Sequence, residues 1–558
     1  MRSSALPALT TAVLTLSACT SFAEDGGDPA ATGSASAAGV STARPGELAV
    51  VAEEDPAALA AATSRALFES ADVVVVARDG DAPGTLLAAS AAVGLGVPLL
   101  LESADGALVA DELERLGAST VLAVGEGASG TAEVERVAVP ADAAAVAQAA
   151  GLDWAGEENA GDDAAGAVAA VAALDPEEPV ALLAGEAAGE AAGESAGESA
   201  PEGDARLPEV ERAEPLDGTV VLGTGAPEEL AGLATARAAG ARVQLTGGVT
   251  DPRAVPEVVA AMGEAEASSV VVLGAGFAAE EGLDWKVATA ATGLELPAGG
   301  QTLFPRSFLV ALYGHPGTGA LGVLGEQPLP QAIERARETA APYEGRVEGT
   351  VVPAFEVIAT VASSSAGDDG DYSAEADVEV LRPWVEAAGE AGLYVVLDLQ
   401  PGRTDFVTQA ERYRSLLELP HVGLALDPEW RLGPGEVHLT QIGSVGVEEV
   451  NRVVTWLADL TRENLLPQKL LVLHQFRLDM LPGRERVDLS RDELAVMVHA
   501  DGQGGQGDKQ ATWRALRADA PAGLWWGWKN FYDEDLPMLT PEQTAQQVRP
   551  QPQLISYQ

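Results

Sequence analysis

The feature that most constrains the fold is a series of eight short strands between residues 305 and 558. Each is apolar on both faces, and helical patterns such as QAIERARETA and VEEVNRVVTWLADL lie between them. Such strands form parallel sheets that helices cover on every side. Eight strand–helix pairs in about 250 residues predict a (β/α)8 barrel, with a doubly wound open sheet as the alternative. The strands are expected near residues 307, 350, 393, 422, 469, 494, 523 and 553.

Ionisable or hydrogen-bonding side chains end the first seven of these strands. The carboxyl ends of barrel strands form one face of the fold, so we expect these side chains to meet there. All five histidines of the chain lie after residue 314, which also favours a functional site in the barrel. The strand-end residues are Tyr313, His315, Glu356, Asp398, Asp427, Glu429, His474, His499, Asp501 and Lys529.

The stretch GLALDPEW, residues 423–430, places Asp427 and Glu429 at the end of the fourth strand. Side chains at i and i+2 of a strand project from one face, about 7 Å apart, so both acids are expected to face the barrel mouth. Adjacent parallel strands lie about 5 Å apart, which makes Asp398 of the third strand the expected further carboxylate. Paired acids suit acid–base chemistry, but the same spacing also suits a solvated strand end.

GLALDPEW partly resembles the Asp-Gly-x-Asp-x-Asp-x-Glu strand of glycoside hydrolase family 18, with matches at Gly423, Asp427 and Glu429. It also resembles the Asp-x-Glu of the family 25 lysozymes. The resemblance implies that Glu429 is the general acid and that Asp427 orients it or stabilises charge. Val422 and Ala425 stand where family 18 has two further acids.

The other polar and aromatic residues around the strand ends are candidates for holding a sugar. Tryptophans suit stacking on sugar rings, although aromatic residues in the seventh strand are more often barrel packing. Arginines just past the strands would neutralise the clustered acids or grip an anionic sugar. The candidate substrate-binding residues are Tyr313, Glu356, Arg403, Trp430, Arg431, His474, His499, Asp501, Trp528 and Lys529.

A metal-dependent hydrolase is a further interpretation, because barrel metal sites draw ligands from different strands. The candidate ligands are His474, His499, Asp398 and Asp501. No His-x-His spacing appears on the first strand, and the sequence therefore predicts neither a metal nor another cofactor.

Residues 47–290 contain an internal repeat of one βαβαβ unit. DAPGTLLAASAAVGLGVPLLL and GAPEELAGLATARAAGARVQL align without a gap, which predicts parallel sheets with right-handed crossovers. The first unit, from VVVVARDGDAPGTLL to STVLAVGEG, resembles the cell-wall-binding repeat 2 family, and this implies attachment to anionic cell-wall polymer. The acidic low-complexity insert at 184–205 is predicted to be a solvated loop, and 291–304 a linker to the barrel domain at 305–558.

The formal charge of −52 argues against a partner that a basic surface must hold. Only four lysines are present, so nucleic-acid binding is excluded.

The chain begins MRSSALPALTTAVLTLSACT, with one basic residue, an apolar stretch and Leu-Ser-Ala-Cys. This resembles the lipobox of bacterial lipoprotein signal peptides, which implies a signal peptide at 1–19, lipid on Cys19 and a flexible tether at 20–46. An ordinary secretory signal with a chance cysteine is the alternative. Cys19 is the single cysteine, so no intramolecular disulfide can form.

Together these features indicate a lipid-anchored protein on the outer face of the cytoplasmic membrane or in the cell wall. Its barrel would act on, or hold, a cell-wall or envelope polysaccharide. A nonenzymatic wall-binding protein with an inactive barrel is the alternative from another class, since fold alone does not establish activity.

We expect Cys19→Ala to release the protein from membranes or to block its processing, because the lipid is the only anchor that the sequence predicts. Detergent phase partitioning of cells that express each form measures this. A detergent-phase fraction equal to that of the wild type would contradict lipidation at Cys19.

Overall fold

The computed structural model describes residues 37–104, 106–128, 134–185 and 206–558. The predicted signal peptide, Cys19, most of the tether and nearly all of the acidic insert lie outside the described residues. Within those described ranges, no helix combines the length and the apolar character that crossing a bilayer requires.

The chain before residue 300 alternates short strands with short helices. Its strands are β1 Ala38–Thr42, β2 Leu48–Val51, β3 Phe68–Ala71, β4 Val73–Arg78, β5 Leu99–Glu102, β6 Thr120–Val124, β7 Glu135–Val139, β8 Glu157–Asn159, β9 Ala181–Leu183, β10 Val210–Glu211, β11 Thr219–Gly223, β12 Arg242–Leu245 and β13 Ser269–Leu273. Its helices are α1 Pro56–Leu67, α2 Ala82–Leu95, α3 Ala107–Leu116, α4 Ala143–Ala150, α5 Ala164–Ala172, α6 Leu230–Ala238, α7 Pro256–Glu264, α8 Ala275–Ala278 and α9 Leu283–Ala290.

Two four-stranded parallel sheets repeat the same plan, with strand orders β5-β4-β6-β7 and β12-β11-β13-β2. In each sheet the first strand of the unit lies between the second and the third, so the predicted repeat and its parallel pairing are confirmed. Strand β2 precedes the first unit in the chain but pairs with β13 of the second sheet. One hydrophobic core contains residues of both units, such as Leu87 and Leu233. The two units therefore fold against each other.

From residue 305 the chain forms the predicted (β/α)8 barrel. Its strands are β14 Ser307–Gly314, β15 Thr350–Ala362, β16 Ser373–Glu375, β17 Tyr394–Leu399, β18 Val422–Leu426, β19 Lys469–Gln475, β20 Leu494–Ala500, β21 Trp525–Asn530 and β22 Leu554–Tyr557. Its helices are α10 Leu329–Ala340, α11 Val378–Glu390, α12 Phe406–Arg412, α13 Arg414–Leu417, α14 Val447–Glu463, α15 Gln506–Arg517 and α16 Pro541–Gln547.

Pairing between β14 and β15 closes the barrel, and every neighbouring pair around the ring is parallel. Strand β16 lies outside the ring and pairs antiparallel with the long β15. Alternate side chains serve two cores: Val310 and Leu312 pack toward the helices, whereas Leu309 and Ala311 fill the barrel interior. This alternation explains why the strands are apolar on both faces.

The segment 291–304, expected to be a linker, packs against the amino end of the barrel. Leu296, Leu303 and Phe304 belong to the interior core, and the Phe304 ring lies 5.1 Å from that of Trp525 at the start of β21. Gln301 is fully buried and donates hydrogen bonds to backbone oxygens of Thr289 and Leu294. The domain division at this segment stays a prediction, but its residues are held in place by the barrel.

A cluster of cations around Trp285 connects α9 to the barrel. The guanidinium of Arg253 lies 4.3 Å from the centre of the Trp285 ring, and that of Arg462 of α14 lies 4.5 Å from it. Arg253 also donates to the backbone oxygen of Asp492, whose carboxylate is 2.6 Å from Lys286 Nζ. These contacts hold the chain before residue 300 against the barrel.

We expect Arg253→Ala to lower the free energy of unfolding by about 2–4 kcal/mol. Arg253 is buried, and its loss leaves Asp251 without the two hydrogen bonds of 3.0 and 2.7 Å that the guanidinium donates. Urea unfolding measures the change. Arg242→Ala is the control, because its ion pair with Glu264 is exposed and should contribute about 0.5 kcal/mol. Equal losses in the two variants would contradict a structural role for Arg253.

Candidate active site

The carboxyl ends of the barrel strands bring ionisable side chains together in a fully buried cluster. Glu356 of β15, Asp398 of β17, His474 of β19 and His499 of β20 are all 0% exposed. The strands are in register here, with Tyr313 opposite Glu356 and His474 opposite His499. Because these side chains are shielded from solvent, their charges and hydrogen bonds depend on neighbouring groups of the protein.

His474 is the centre of this cluster. Its Nε2 lies 2.7 Å from Glu356 Oε1, and its Nδ1 lies 2.9 Å from Asp501 Oδ2. Lys529 Nζ lies 3.2 Å from the other oxygen of Asp501 and 3.6 Å from the centre of the Tyr313 ring. Two cations and two carboxylates therefore alternate across the carboxyl end of the barrel.

Asp398 and His499 are held by neutral partners. The Tyr313 hydroxyl donates a hydrogen bond of 2.9 Å to Asp398 Oδ2. His499 Nε2 lies 3.2 Å from Ser556 Oγ. Burial raises the pKa of the Asp398 carboxyl to about 6, and burial lowers the pKa of His499 to about 4. The charged atoms nearest to them are more distant: His474 Nε2 lies 3.9 Å from Asp398 Oδ1, and Glu356 Oε1 lies 4.0 Å from His499 Nδ1.

Glu429 lies at the barrel mouth, but it is not part of strand β18 as expected. Strand β18 ends at Leu426, and residues Pro428–Trp430 form one turn of 3-10 helix. Pro428 has no backbone N–H for the sheet and suits the first turn of a helix, so the strand cannot continue through it. Asp427 caps this turn, since its Oδ1 accepts a hydrogen bond of 3.2 Å from the Glu429 backbone nitrogen. The two acids are therefore not strand residues on one face.

Above the buried cluster lies a cavity of about 730 Å³ that opens between the barrel loops. Its polar walls include Asp427, Glu429, Asp501 and Lys529. Its aromatic walls are Tyr313, Trp430, Phe476 and Phe531. Glu356, Asp398, His474 and His499 do not line the cavity and lie beneath it.

The carboxyl groups that line the cavity differ in their affinity for a proton. Burial and the nearby charge of Asp501 raise the pKa of Glu429 to about 7. Burial alone would raise the pKa of Asp501, but the Lys529 charge and the His474 hydrogen bond outweigh it and lower that pKa. Burial and Asp398 raise the pKa of Asp427 well above its ordinary value. At neutral pH Asp501 is ionised, whereas a large fraction of Glu429 carries a proton.

Two basic groups of the cluster, His474 and Lys529, stay charged. Burial opposes the charge on His474, but Glu356 and Asp501 raise the pKa of His474 well above its ordinary value. Burial likewise opposes the charge on Lys529, and Asp501 and Glu356 raise its pKa. The positive charges of His474 and Lys529 balance the negative charges of Glu356 and Asp501.

Three of the predicted substrate-binding residues lie away from the cavity. Trp528 is buried against the helices, with its ring 5.8 Å from that of Trp513 in α15. Arg431 pairs with Glu449 at 3.1 Å, and Arg403 stacks 4.4 Å over the ring of Tyr372. Both arginines line a separate hollow of about 600 Å³ on the loops after β17 and β18. Lys529 points inward, so its neighbour Trp528 on the same strand must point outward.

Several wall residues were not predicted from the sequence. They are Gln400, whose amide donates a hydrogen bond of 3.3 Å to the Tyr313 hydroxyl, and Phe476, Phe531 and Gln558. Gln400, Phe476 and Phe531 each follow the last residue of a barrel strand directly, at β17, β19 and β21. That position was a usable signal, but the residues predicted from the strand ends were tyrosine, histidine, lysine and the acids, and did not include glutamine or phenylalanine.

No family model and no curated protein matches this sequence. Among solved structures, the chain is similar to two cell wall proteins of Clostridium difficile, Cwp8 and Cwp6. The Cwp8 alignment has a TM-score of 0.28 and 15% identity, and covers 44% of this chain and 52% of that one. The Cwp6 alignment has a TM-score of 0.30 and 11% identity, and covers 69% and 62%. The chain spans only part of either protein, and similarity at this level identifies no family or activity.

We expect Glu429→Gln to stabilise the protein at pH 8 and to leave its stability nearly unchanged at pH 4. The folded protein holds the Glu429 proton up to about pH 7, whereas an unfolded glutamate releases it near pH 4.3. Wild-type stability therefore falls as pH rises between these values, and the glutamine variant lacks this loss. Glu429 is partly exposed, so we expect a gain of about 2 kcal/mol.

Urea unfolding in EDTA at pH 4, 6 and 8 measures this difference. Glu338→Gln on the exposed face of α10 is the matched control and should change stability little at any of these pH values. A Glu429→Gln variant that is no more stable than wild type at pH 8 would show that Glu429 does not hold its proton in the folded state.

Proposed function

We propose that the barrel is a glycoside hydrolase that acts on a cell-wall or envelope polysaccharide, with Glu429 as its general acid. The observation that supports this is the pair of carboxyl groups on the cavity wall, Glu429 and Asp501, whose pKa values are shifted in opposite directions. Glycoside hydrolysis requires one protonated and one ionised carboxyl group on either side of the scissile bond.

Glu429 is suited to donate the proton. With a pKa of about 7, a large fraction of Glu429 is protonated at neutral pH. Its carboxyl group lines the cavity, where it can donate the proton to the glycosidic oxygen of a bound sugar. The backbone of Glu429 is fixed on both sides: its N–H donates to Asp427, and its oxygen accepts a hydrogen bond of 2.8 Å from the Gly443 N–H. Asp427 thus acts as a positioning residue.

Asp501 is suited to be the ionised partner, in place of the expected Asp398. His474 and Lys529 each hold one oxygen of Asp501, which keeps it charged beside the cavity. Asp398 lies below the cavity wall and accepts a hydrogen bond from the Tyr313 hydroxyl. Its pKa of about 6 means that it binds a proton more strongly than Asp501 does. In the proposed reaction the negative charge of Asp501 stabilises the positive charge that develops on the sugar. Asp501 then acts either as the nucleophile that attacks the sugar or as the base that takes a proton from the attacking water.

The shape and chemistry of the cavity suit a carbohydrate. Its volume of about 730 Å³ falls within the usual range of small-molecule sites. Trp430 and Phe476 offer aromatic faces for sugar rings, and Gln400 and Gln558 offer amides for hydroxyl groups. The one lysine among the described wall residues is paired with Asp501, which favours a neutral or amino-bearing sugar over an anionic one.

The proposed setting of the enzyme is the cell surface. Lipid at Cys19 would attach the chain to the outer face of the cytoplasmic membrane, and the repeated units at 47–290 would hold wall polymer. Their parallel sheets and their packing on the barrel are compatible with this arrangement. The polysaccharide-binding role of the repeated units and the lipid anchor are parts of the proposal.

We expect wild-type protein to release reducing ends from purified cell-wall glycans, and Glu429→Gln to lower this rate about a hundredfold or more. The rate should decline above about pH 7, because Glu429 then loses the proton that it donates. Asp501→Asn should cause a comparable loss, and Glu338→Gln should retain the wild-type rate.

Unchanged hydrolysis by Glu429→Gln would refute this assignment. If the wild type releases no reducing ends from any envelope glycan but still sediments with insoluble wall, the protein binds the wall without cleaving it, and the nonenzymatic alternative is favoured. Circular dichroism of each variant separates loss of chemistry from loss of the fold.

A further inference from the structure

Beneath the cavity, three potential metal ligands from different strands converge on one point. Glu356 of β15, His474 of β19 and His499 of β20 each offer one ligand atom, and these atoms lie within 4.8 Å of one another. Glu356 Oε1 is 2.7 Å from His474 Nε2 and 4.0 Å from His499 Nδ1. Two ligands of one zinc ion, each about 2.0–2.2 Å from it, are at most about 4.4 Å apart. Glu356 Oε1 and His474 Nε2 are hydrogen-bonded to each other, so a bound ion would take the place of the proton between them, with His499 Nδ1 4.0 Å from the same oxygen.

Buried polar atoms without partners point to the same place. Glu356 Oε2 and His499 Nδ1 have no hydrogen-bond partner, although both side chains are 0% exposed. Asp398 Oδ1 is also unpartnered and lies 3.9 Å from His474 Nε2. An unpaired polar atom in a dry interior is destabilising. A cation bound by Glu356, His474 and His499 would give His499 Nδ1 the partner that it lacks.

The outer nitrogens of both histidines are already held in the manner of metal ligands. His474 Nδ1 pairs with Asp501 Oδ2, and His499 Nε2 pairs with Ser556 Oγ. A histidine that binds a metal through one nitrogen usually donates its other ring N–H to a carboxylate, carbonyl or water. Such a bond fixes the ring and raises its basicity. Here it directs the inner nitrogen of each ring toward Glu356.

We propose that Glu356, His474 and His499 bind a divalent transition-metal ion, with Asp398 as the nearest further carboxylate. Two imidazoles and a carboxylate are a donor set of zinc and of non-haem iron, whereas calcium and magnesium prefer oxygen alone. None of the three ligands lines the cavity, so the ion lies under its floor. Through His474 the ion fixes the position of Asp501, which does line the cavity.

The test uses the full chain without a histidine tag. The protein is stripped with EDTA and dialysed against Zn²⁺ or Co²⁺, and bound metal is measured by mass spectrometry. We expect about one ion per wild-type chain and less than about a tenth of that in Glu356→Gln and His499→Ala. His438→Gln is the matched control and should keep its metal, because His438 lies in the loop after β18, bonded to the Tyr372 carbonyl.

A milder variant keeps the test valid if the ligand variants do not fold. Ser556→Ala removes one hydroxyl beside His499, and we expect it to weaken Zn²⁺ binding about 10- to 100-fold in competition with a chelator. Wild-type protein that takes up neither ion would overturn the proposal. So would a folded His499→Ala that binds as much metal as wild type, or, where that variant fails to fold, unchanged affinity in Ser556→Ala. Metal content is read directly, so the result does not depend on glycan hydrolysis.

Discussion

The interaction on which the site depends is the position of His474 between Glu356 and Asp501. Closure of the barrel forces side chains from β15, β17, β19 and β20 into one interior that excludes water. A single buried charge there would be strongly unfavourable, so each acid needs a cation. His474 and Lys529 supply two positive charges, and Glu356 and Asp501 are the acids that they neutralise.

The small number of cations in the cluster explains why the pKa values of the remaining acids are raised. Once Glu356 and Asp501 are ionised, the described cluster contains no further cation for Asp398, Asp427 or Glu429, and burial raises the pKa of each. Of these three, Glu429 is the most exposed and lies on the cavity wall, so it can exchange its proton with a ligand. The same electrostatic arrangement thus produces both a fixed negative charge and an available proton. This arrangement of buried charges lowers the free energy of unfolding, which is typical of functional sites.

The chain before residue 300 depends on a different constraint, the packing of small side chains. Its helices are rich in alanine, and α1, α2 and α6 share one core with strands of both repeat units. Strand β2, which precedes the first unit in the chain, completes the sheet of the later unit, so that sheet draws strands from both ends of the repeated region. The contacts of Arg253 and Lys286 with Asp492 extend this packing to the barrel.

The sequence by itself determined the architecture. Runs such as SFLVALYG and KLLVLHQ are apolar at every second position on both faces, and only a strand covered on both sides buries such a run. Each of the eight predicted barrel strands is present, and the repeat is found where the gapless alignment placed it. The local sequence pattern was sufficient to predict these strands, because a strand that is buried on both faces is a continuous run of apolar residues.

Only the tertiary structure decided how the site residues are paired. His474, Asp501 and Lys529 are far apart in the chain and meet because the barrel closes. No local pattern could show that Asp501, rather than Asp398, lines the cavity and is held there by two cations. The expectation that Glu429 shares a strand face with Asp427 was wrong because Pro428 ends the strand. Sequence patterns report which residues are buried, whereas pKa values and ligand sets depend on distances between residues that are remote in the chain.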